Sequence, residues 1–259
     1  MNIKVDSRKV KEGDTFVALK YEHDGHDYIE DAIKNGAKKI VCERGLYSVD
    51  TLIVKDTHEY LINYLKENYY DEIKDLKLIA ITGTNGKTTS VHMLKTILEN
   101  AGKKVLVGGN GGGGFSGYYD LVLEASNDDY DILLVEVCDM TLDFCNYCFE
   151  FDMVGLTNIG NDHMNVHKTI ANYKNTLVRF FEGKTIFTAF NQDFNADFKE
   201  VADKAIPFFE YDEKLQVCGR FNALNAGLAA AIATELKISK DSIMKSLADF
   251  KAVEGRMNV

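Results

Sequence analysis

The chain has 259 residues, 46% hydrophobic and 27% charged, with a formal net charge of −10. Such a composition belongs to a globular protein with room for one large domain or two smaller ones. Its acidity, without any cluster of Lys and Arg, excludes nucleic-acid binding carried by phosphate contacts, and no run approaches the roughly 18 apolar residues of a membrane helix.

The first residues, MNIKVDSRKVKEGD, are polar and lack the apolar segment of a signal peptide, so a cytoplasmic protein is expected. The five cysteines (Cys42, Cys138, Cys145, Cys148 and Cys218) are an odd number, which suits reduced thiols better than a disulfide framework. Cys145 and Cys148 form a lone CxxC. A zinc site usually draws four ligands at paired spacings, so free thiols are expected here.

In chain order, residues 1–75 read as a small α/β unit. Thr15–Leu19, Lys39–Cys42 and Leu52–Val54 are short apolar runs suited to strands. Tyr28–Asn35 reads as a helix stopped by Gly36, and Leu61, Ile62 and Leu65 mark a second helix from about His58 to Tyr70. The polar stretch Tyr70–Asp75 is the expected boundary to a second domain, 76–259. There, strands and helices alternate. Leu78–Thr82, Val105–Val107, Ile132–Val137, Met153–Asn158 and Thr185–Phe190 read as strands, and Lys87–Ala101, Ile170–Phe181 and the Ala-rich Ala223–Leu236 as helices. Continuous apolar strands in βαβα order predict a mainly parallel, doubly wound sheet. The tract Gly108–Gly117 is either a surface loop or a backbone that approaches a ligand closely.

One segment carries chemistry. LIAITGTNGKTTSVHML places a glycine-bearing turn between a strand and a helix. There the N–H groups of the turn and of the helix start form a concave, positively polarised surface suited to an anion. Lys87 adds a point charge for terminal phosphates, and Thr88 a hydroxyl able to reach a magnesium ion. The general phosphate-loop string asks for one more glycine, at the position that Ile81 holds.

This loop, TGTNGKTT, resembles the ATP-binding loop of the Mur ligases, the ATP-dependent amide-forming enzymes of cell-wall precursor synthesis. Further segments match in order: DSRKVKEGDTFVAL with HDGHDYIEDAI (6–33), VEVCDMTL (135–142), TNIGNDHMNVH (157–167), GRFNALNAGLAAAIA (219–233) and EGRMNV (254–259). The first and central domains look MurE-like, with a shortened, MurD-like central segment. The resemblance implies a phosphate-binding segment Gly83, Thr84, Asn85, Gly86, Lys87, Thr88 and Thr89. It implies a magnesium site of Thr88, Glu136 and His163, in which Glu136 would otherwise be a solvated strand end. Catalysis would rest on Lys87, Glu136 and His163, and His167 would be structural. Adenine contacts fall to Asn222 and Asn225, where helix capping by Asn222 is the plainer alternative, and ATP phosphate contact falls to Arg256. A uridine-nucleotide substrate would meet Ser7, Arg8, Asp24, Gly25 and His26. The implied activity is ADP-forming ligation: a carboxylate is activated as an acyl phosphate, on a UDP-N-acetylmuramoyl-peptide or a related precursor, and an amino acid then captures it.

Three departures stand out. Leu177 occupies the place of the family's carbamylated lysine; its helical spacing reads as core, with Lys174 one turn earlier. Cys138-Asp139 replaces a Ser-Ser pair, and the Thr-Thr-Pro element that grips the acceptor is missing. The chain stops at GRMNV, where the family has a third domain. The expectation is a shortened product, a domain supplied by a separate chain, or a non-catalytic ATP-binding subunit of a split ligase.

Overall fold

The computed structural model describes residues 2–20, 24–109, 121, 122, 124–126, 128–142, 149–160, 167–190 and 195–251. The chain folds as two compact units, Met1–Asp71 and Glu72–Val259.

In the first unit, β1 (Ile3–Lys4), β2 (Thr15–Val17), β3 (Lys39–Cys42) and β4 (Asp50–Ile53) form, among the described residues, a parallel sheet in the order β1-β2-β3-β4. Helix α1 (Ile29–Lys34) buries Ile29 and Ala32 against Phe16, Ala18, Ile40 and Cys42. Gly36 follows α1 at φ +106°, the left-handed conformation its position after the helix requires. Helix α2 (Thr57–Asn68) buries Leu61 and Leu65; Asp56 caps it by accepting the N–H groups of His58 (2.8 Å) and Glu59 (3.0 Å). A single helical turn, α3 (Tyr70–Ile73), follows.

The second unit is built on β5 (Lys77–Thr82), β6 (Val105–Gly109), β7 (Ile132–Glu136), β8 (Met153–Leu156), β9 (Thr185–Ala189) and β10 (Lys204–Phe208). These strands are parallel, in the order β10-β9-β8-β5-β7-β6. Helices α4 (Lys87–Asn100), α7 (Arg220–Glu235) and α8 (Lys240–Ala248) share one core with the sheet. Ile79 and Ile81 of β5 point into it; Leu78 and Ala80, also buried, alternate to the opposite face. Helices α5 (Ile170–Phe181) and α6 (Asn195–Val201) lie outside that core and meet edge to face through Phe181 and Phe198, with ring centroids 4.9 Å apart. The parallel, doubly wound α/β architecture expected from the sequence is therefore present.

Some elements differ from their sequence pattern. β10, which carries Pro207 opposite Thr188, is not among the strands expected from the sequence. Among the described residues β10 is an edge strand, where a missing N–H removes no ladder bond. Helix α7 starts at Arg220, ahead of the Ala-rich stretch, because Gly219 at φ +100° forms its cap. The first two glycines of the Gly108–Gly117 tract are the end of β6. A side chain on Gly109 would run into the carbonyl of Glu136 on β7, and one on Gly108 into Leu121. Gly109 thus answers to a neighbouring strand and Gly108 to the Leu121 side chain; residues 110–120 lie outside the described residues.

The strand order sets where a ligand fits. β5 is central, and the chain leaves it for β6 and β7 on one side and then crosses to β8 on the other. In open parallel sheets, ligands bind beyond the carboxyl ends of strands at such a reversal.

Candidate functional site

The turn that leaves β5 sits at that point. Gly83 takes φ +121° and packs so tightly against Thr157 and Asn158, just beyond β8, that no side chain fits. Gly86 takes φ +88° as the N-cap of α4, and a side chain there would strike the carboxamide of Asn225 on α7. Both glycines are thus demanded by backbone conformation and by space. Beyond Gly86, α4 presents the N–H groups that a helix start leaves without intrahelical acceptors, with the positive end of its dipole.

Lys87, the first residue of α4, folds back over the turn. Its ammonium donates to the carbonyls of Gly83 (2.7 Å) and Thr84 (2.9 Å). The next residue, Thr88, donates its hydroxyl to Glu136 Oε1 at 3.1 Å. Glu136 ends β7, in register with Ile81 of β5 and Gly109 of β6, and is buried. A hydroxyl and a carboxylate, both oxygen donors, fit a magnesium ion, which takes few protein ligands and completes its shell with water and phosphate. His163, the third expected ligand, and Arg256 lie outside the described residues, as do Cys145 and Cys148.

Asn222 and Asn225 share a face of α7, but their surroundings differ. Asn222 is half-buried and lies inside the first turn, donating to the Cys218 carbonyl at 2.8 Å; the cap itself is Gly219. Asn225 is buried against Gly86 and so joins α7 to the turn. Leu177 is fully buried on α5, as its spacing predicted, and Lys174 lies one turn before it.

Asp139, in a turn of 3₁₀ helix just after β7, is 1% exposed, and its Oδ2 lies 3.4 Å from Nε2 of His167. The His167 ring stacks on Tyr173 of α5, with centroids 4.5 Å apart. His167 is thus buried between Asp139 and Tyr173. Burial pushes the neighbouring Cys138 thiol up, which keeps it protonated and inert.

In the first unit, Ser7 is buried and its carbonyl accepts from the Asn35 side chain at 3.0 Å. Arg8 leaves 87% of its side chain in solvent and pairs with Asp6 at 2.8 Å. Asp24 holds three donors: the backbone N–H of His26 (3.0 Å), the His26 ring (2.6 Å) and Arg44 (2.7 Å). Arg44 first, and then the His26 N–H, hold the Asp24 carboxyl well below the usual carboxylate range. The Glu43 N–H donates to Nε2 of His26 at 2.9 Å, so the ring proton sits on Nδ1 and is given to Asp24. Gly25 packs on the backbone of Leu19, leaving no room for a side chain. His26 therefore has both ring nitrogens engaged within the unit. Arg44, which sequence reasoning passed over because it stands in no motif, is the exposed cation of this cluster.

Asn158 was also passed over. It lies in the TN pair that opens the TNIGNDHMNVH segment, where the Asp-His pair drew the attention.

Fold and site together define a class: a doubly wound, parallel α/β protein with a glycine turn, a lysine and a Thr–Glu pair at the carboxyl edge of its central strand. A family model described as the Mur ligase family catalytic domain matches residues 1–74, and one described as the Mur ligase middle domain matches residues 81–205. The chain belongs to the Mur ligase family. It is 38% identical over 203 residues to the UDP-N-acetylmuramoyl-L-alanyl-D-glutamate--2,6-diaminopimelate ligase of Clostridium botulinum, a match covering 70% of this chain and 42% of that protein. The fold is also that of MurF from Acinetobacter baumannii (TM-score 0.79, 22% identity, 99% of this chain and 64% of that one). It is likewise that of the Thermotoga maritima MurF ligase, solved in complex with ADP (TM-score 0.75, 23% identity, 99% and 67%). The chain spans less than half the length of the Clostridium botulinum relative.

Proposed function

We propose that the chain carries the nucleotide site and the UDP-substrate unit of an ADP-forming ligase that adds an amino acid to a UDP-N-acetylmuramoyl-peptide. The observation that carries this reading is the convergence of Lys87, Thr88 and Glu136 on the glycine turn at the carboxyl edge of β5. An ADP complex of a protein with the same fold supports the nucleotide, and the name of the Clostridium botulinum relative supports the acceptor and the incoming diaminopimelate. The reaction then takes place in the cytoplasm. No helix among the described residues is long and apolar enough to cross a membrane.

In this reading a carboxylate oxygen of the acceptor attacks the γ-phosphorus of ATP, the bond to the bridging oxygen breaks, and ADP leaves. The amine of the amino acid then attacks the acyl phosphate, inorganic phosphate departs, and an amide bond remains. Such transfer is catalysed mostly by positioning and by neutralising charge. The helix start and residues Gly83–Thr89 cradle the phosphates. Lys87 exchanges its two carbonyl contacts for phosphate oxygens. Thr88, Glu136 and His163 hold Mg2+, which supplies charge neutralisation when bound. Asn222 and Asn225 face the adenine, and Arg256 the phosphates. Ser7, Arg8, Asp24, Gly25 and His26 form the side of the first unit that meets the uridine nucleotide.

The test is turnover. The chain is incubated with Mg-ATP, UDP-N-acetylmuramoyl-L-alanyl-D-glutamate and diaminopimelate, and ADP and the amide product are measured. The reading expects ADP release that depends on the UDP-linked acceptor. ADP release indifferent to acceptor and amino acid would replace it with an ATPase of another kind.

A further inference from the structure

Asn158 supplies none of the groups assigned above to the nucleotide, yet its contacts run into the turn that holds it. Its carbonyl accepts the Thr84 N–H at 3.0 Å. Its side-chain oxygen accepts the Asn85 N–H at 3.1 Å, and its side-chain NH2 donates to the Asn85 carbonyl at 2.8 Å. Its neighbours act alike: the Thr157 N–H and hydroxyl bond the Thr82 carbonyl at 3.0 and 3.2 Å, and the Gly160 N–H bonds the Thr84 hydroxyl at 2.8 Å.

A primary carboxamide carries its donor and its acceptor on separate, coplanar atoms, so it can bond the N–H and the C=O of one residue's backbone at once. By doing both at Asn85, Asn158 fixes the peptide planes before and after it. The next residue is Gly86, whose φ of +88° turns the chain into α4. The peptide that Asn158 fixes is therefore the one that aims the helix start. Two backbone donors are also accounted for: the N–H groups of Thr84 and Asn85 are already given to Asn158.

We propose that Asn158 is a positioning residue for phosphate binding, an anchor that pre-sets the turn from β8 so that the amides from Gly86 onward meet the phosphates without prior ordering of the loop. This rests on the nucleotide reading above. It makes Thr84 and Asn85 structural members of the loop, with the phosphate-facing N–H groups beginning at Gly86. Pre-organisation of this kind strengthens binding by removing an ordering penalty, without adding a contact to the ligand.

The experiment is calorimetric titration of the chain, Asn158→Ala and the nearly isosteric Asn158→Leu with Mg-ATP and with Mg-tripolyphosphate. Hydrogen exchange over Gly83–Thr89 is followed without ligand, and the unfolding temperature of each variant is measured. Both variants should bind both ligands about ten-fold more weakly, the size expected for about two hydrogen bonds. Exchange should quicken over Gly83–Thr89 while the unfolding temperature holds. Binding of Mg-ATP by the unmodified chain and by both variants within about two-fold of one another would overturn the proposal alone. A loss confined to Mg-ATP, with tripolyphosphate unaffected, would also overturn it, by placing Asn158 on the base or sugar. Absence of Mg-ATP binding by the unmodified chain would remove the nucleotide reading and this proposal with it.

Discussion

Asp24 joins three donors, two of them from His26 and the third from Arg44, 20 residues further on, and each bond favours its ionised form. Its carboxyl is held below the ordinary value of about 3.9 when folded. A depressed carboxylate contributes stability that is complete above the unfolded-state value and is lost as pH falls through the folded one. Asp24→Asn should therefore lower the urea midpoint of the first unit at neutral pH. The gap from the unmodified chain should narrow as pH drops below about 4. Equal midpoints for the two proteins at pH 7 would show that the cluster with His26 and Arg44 carries no stability. The same cluster marks a limit of reading single residues. Asp24, Gly25 and His26 stand out in the sequence by resemblance to a uridine-nucleotide region, whereas the bond of His26 to the Glu43 N–H joins residues 17 apart, a pairing that no local pattern displays.

At the scale of elements, α7 shows how close packing and helix propensity compete. Gly227 lies mid-helix, where Ala would be favoured by about 1 kcal/mol. A methyl group there would meet the Phe209 carbonyl at the exit of β10, which is backbone and cannot swing aside. The collision should win: Gly227→Ala should destabilise the second unit by about 1–3 kcal/mol, the usual penalty of overpacking. Chemical denaturation decides it, and a stabilised variant would mean that α7 can lift off the sheet without loss. Periodicity displayed α4, α5 and most strands because buried strands and amphipathic helices write themselves into consecutive residues. It concealed β10, since Pro207 is tolerated only by an edge that tertiary structure defines. It also left open the purpose of Gly108 and Gly109, whose reason is the carbonyl of Glu136 and the side chain of Leu121.

At the scale of the molecule, the site was legible where its residues are contiguous. Gly83, Gly86, Lys87 and Thr88 sit in one turn, and their strand–turn–helix setting announces an anion site. Glu136 was legible as a strand-end carboxylate, though its bond to Thr88 spans 48 residues. Asn158 and Asn225 were illegible as parts of the loop, because only the sheet order brings the exit of β8 and the start of α7 against it. The whole account depends on that assembly binding a nucleotide through its phosphates. Calorimetric titration with Mg-ATP, comparing the chain with Lys87→Ala, tests this most directly. The account predicts binding by the unmodified chain and at least about a ten-fold loss in Lys87→Ala, the scale of one charge-assisted contact, at unchanged unfolding temperature. An unmodified chain that does not bind Mg-ATP, or a Lys87→Ala variant that binds it equally well, would contradict it.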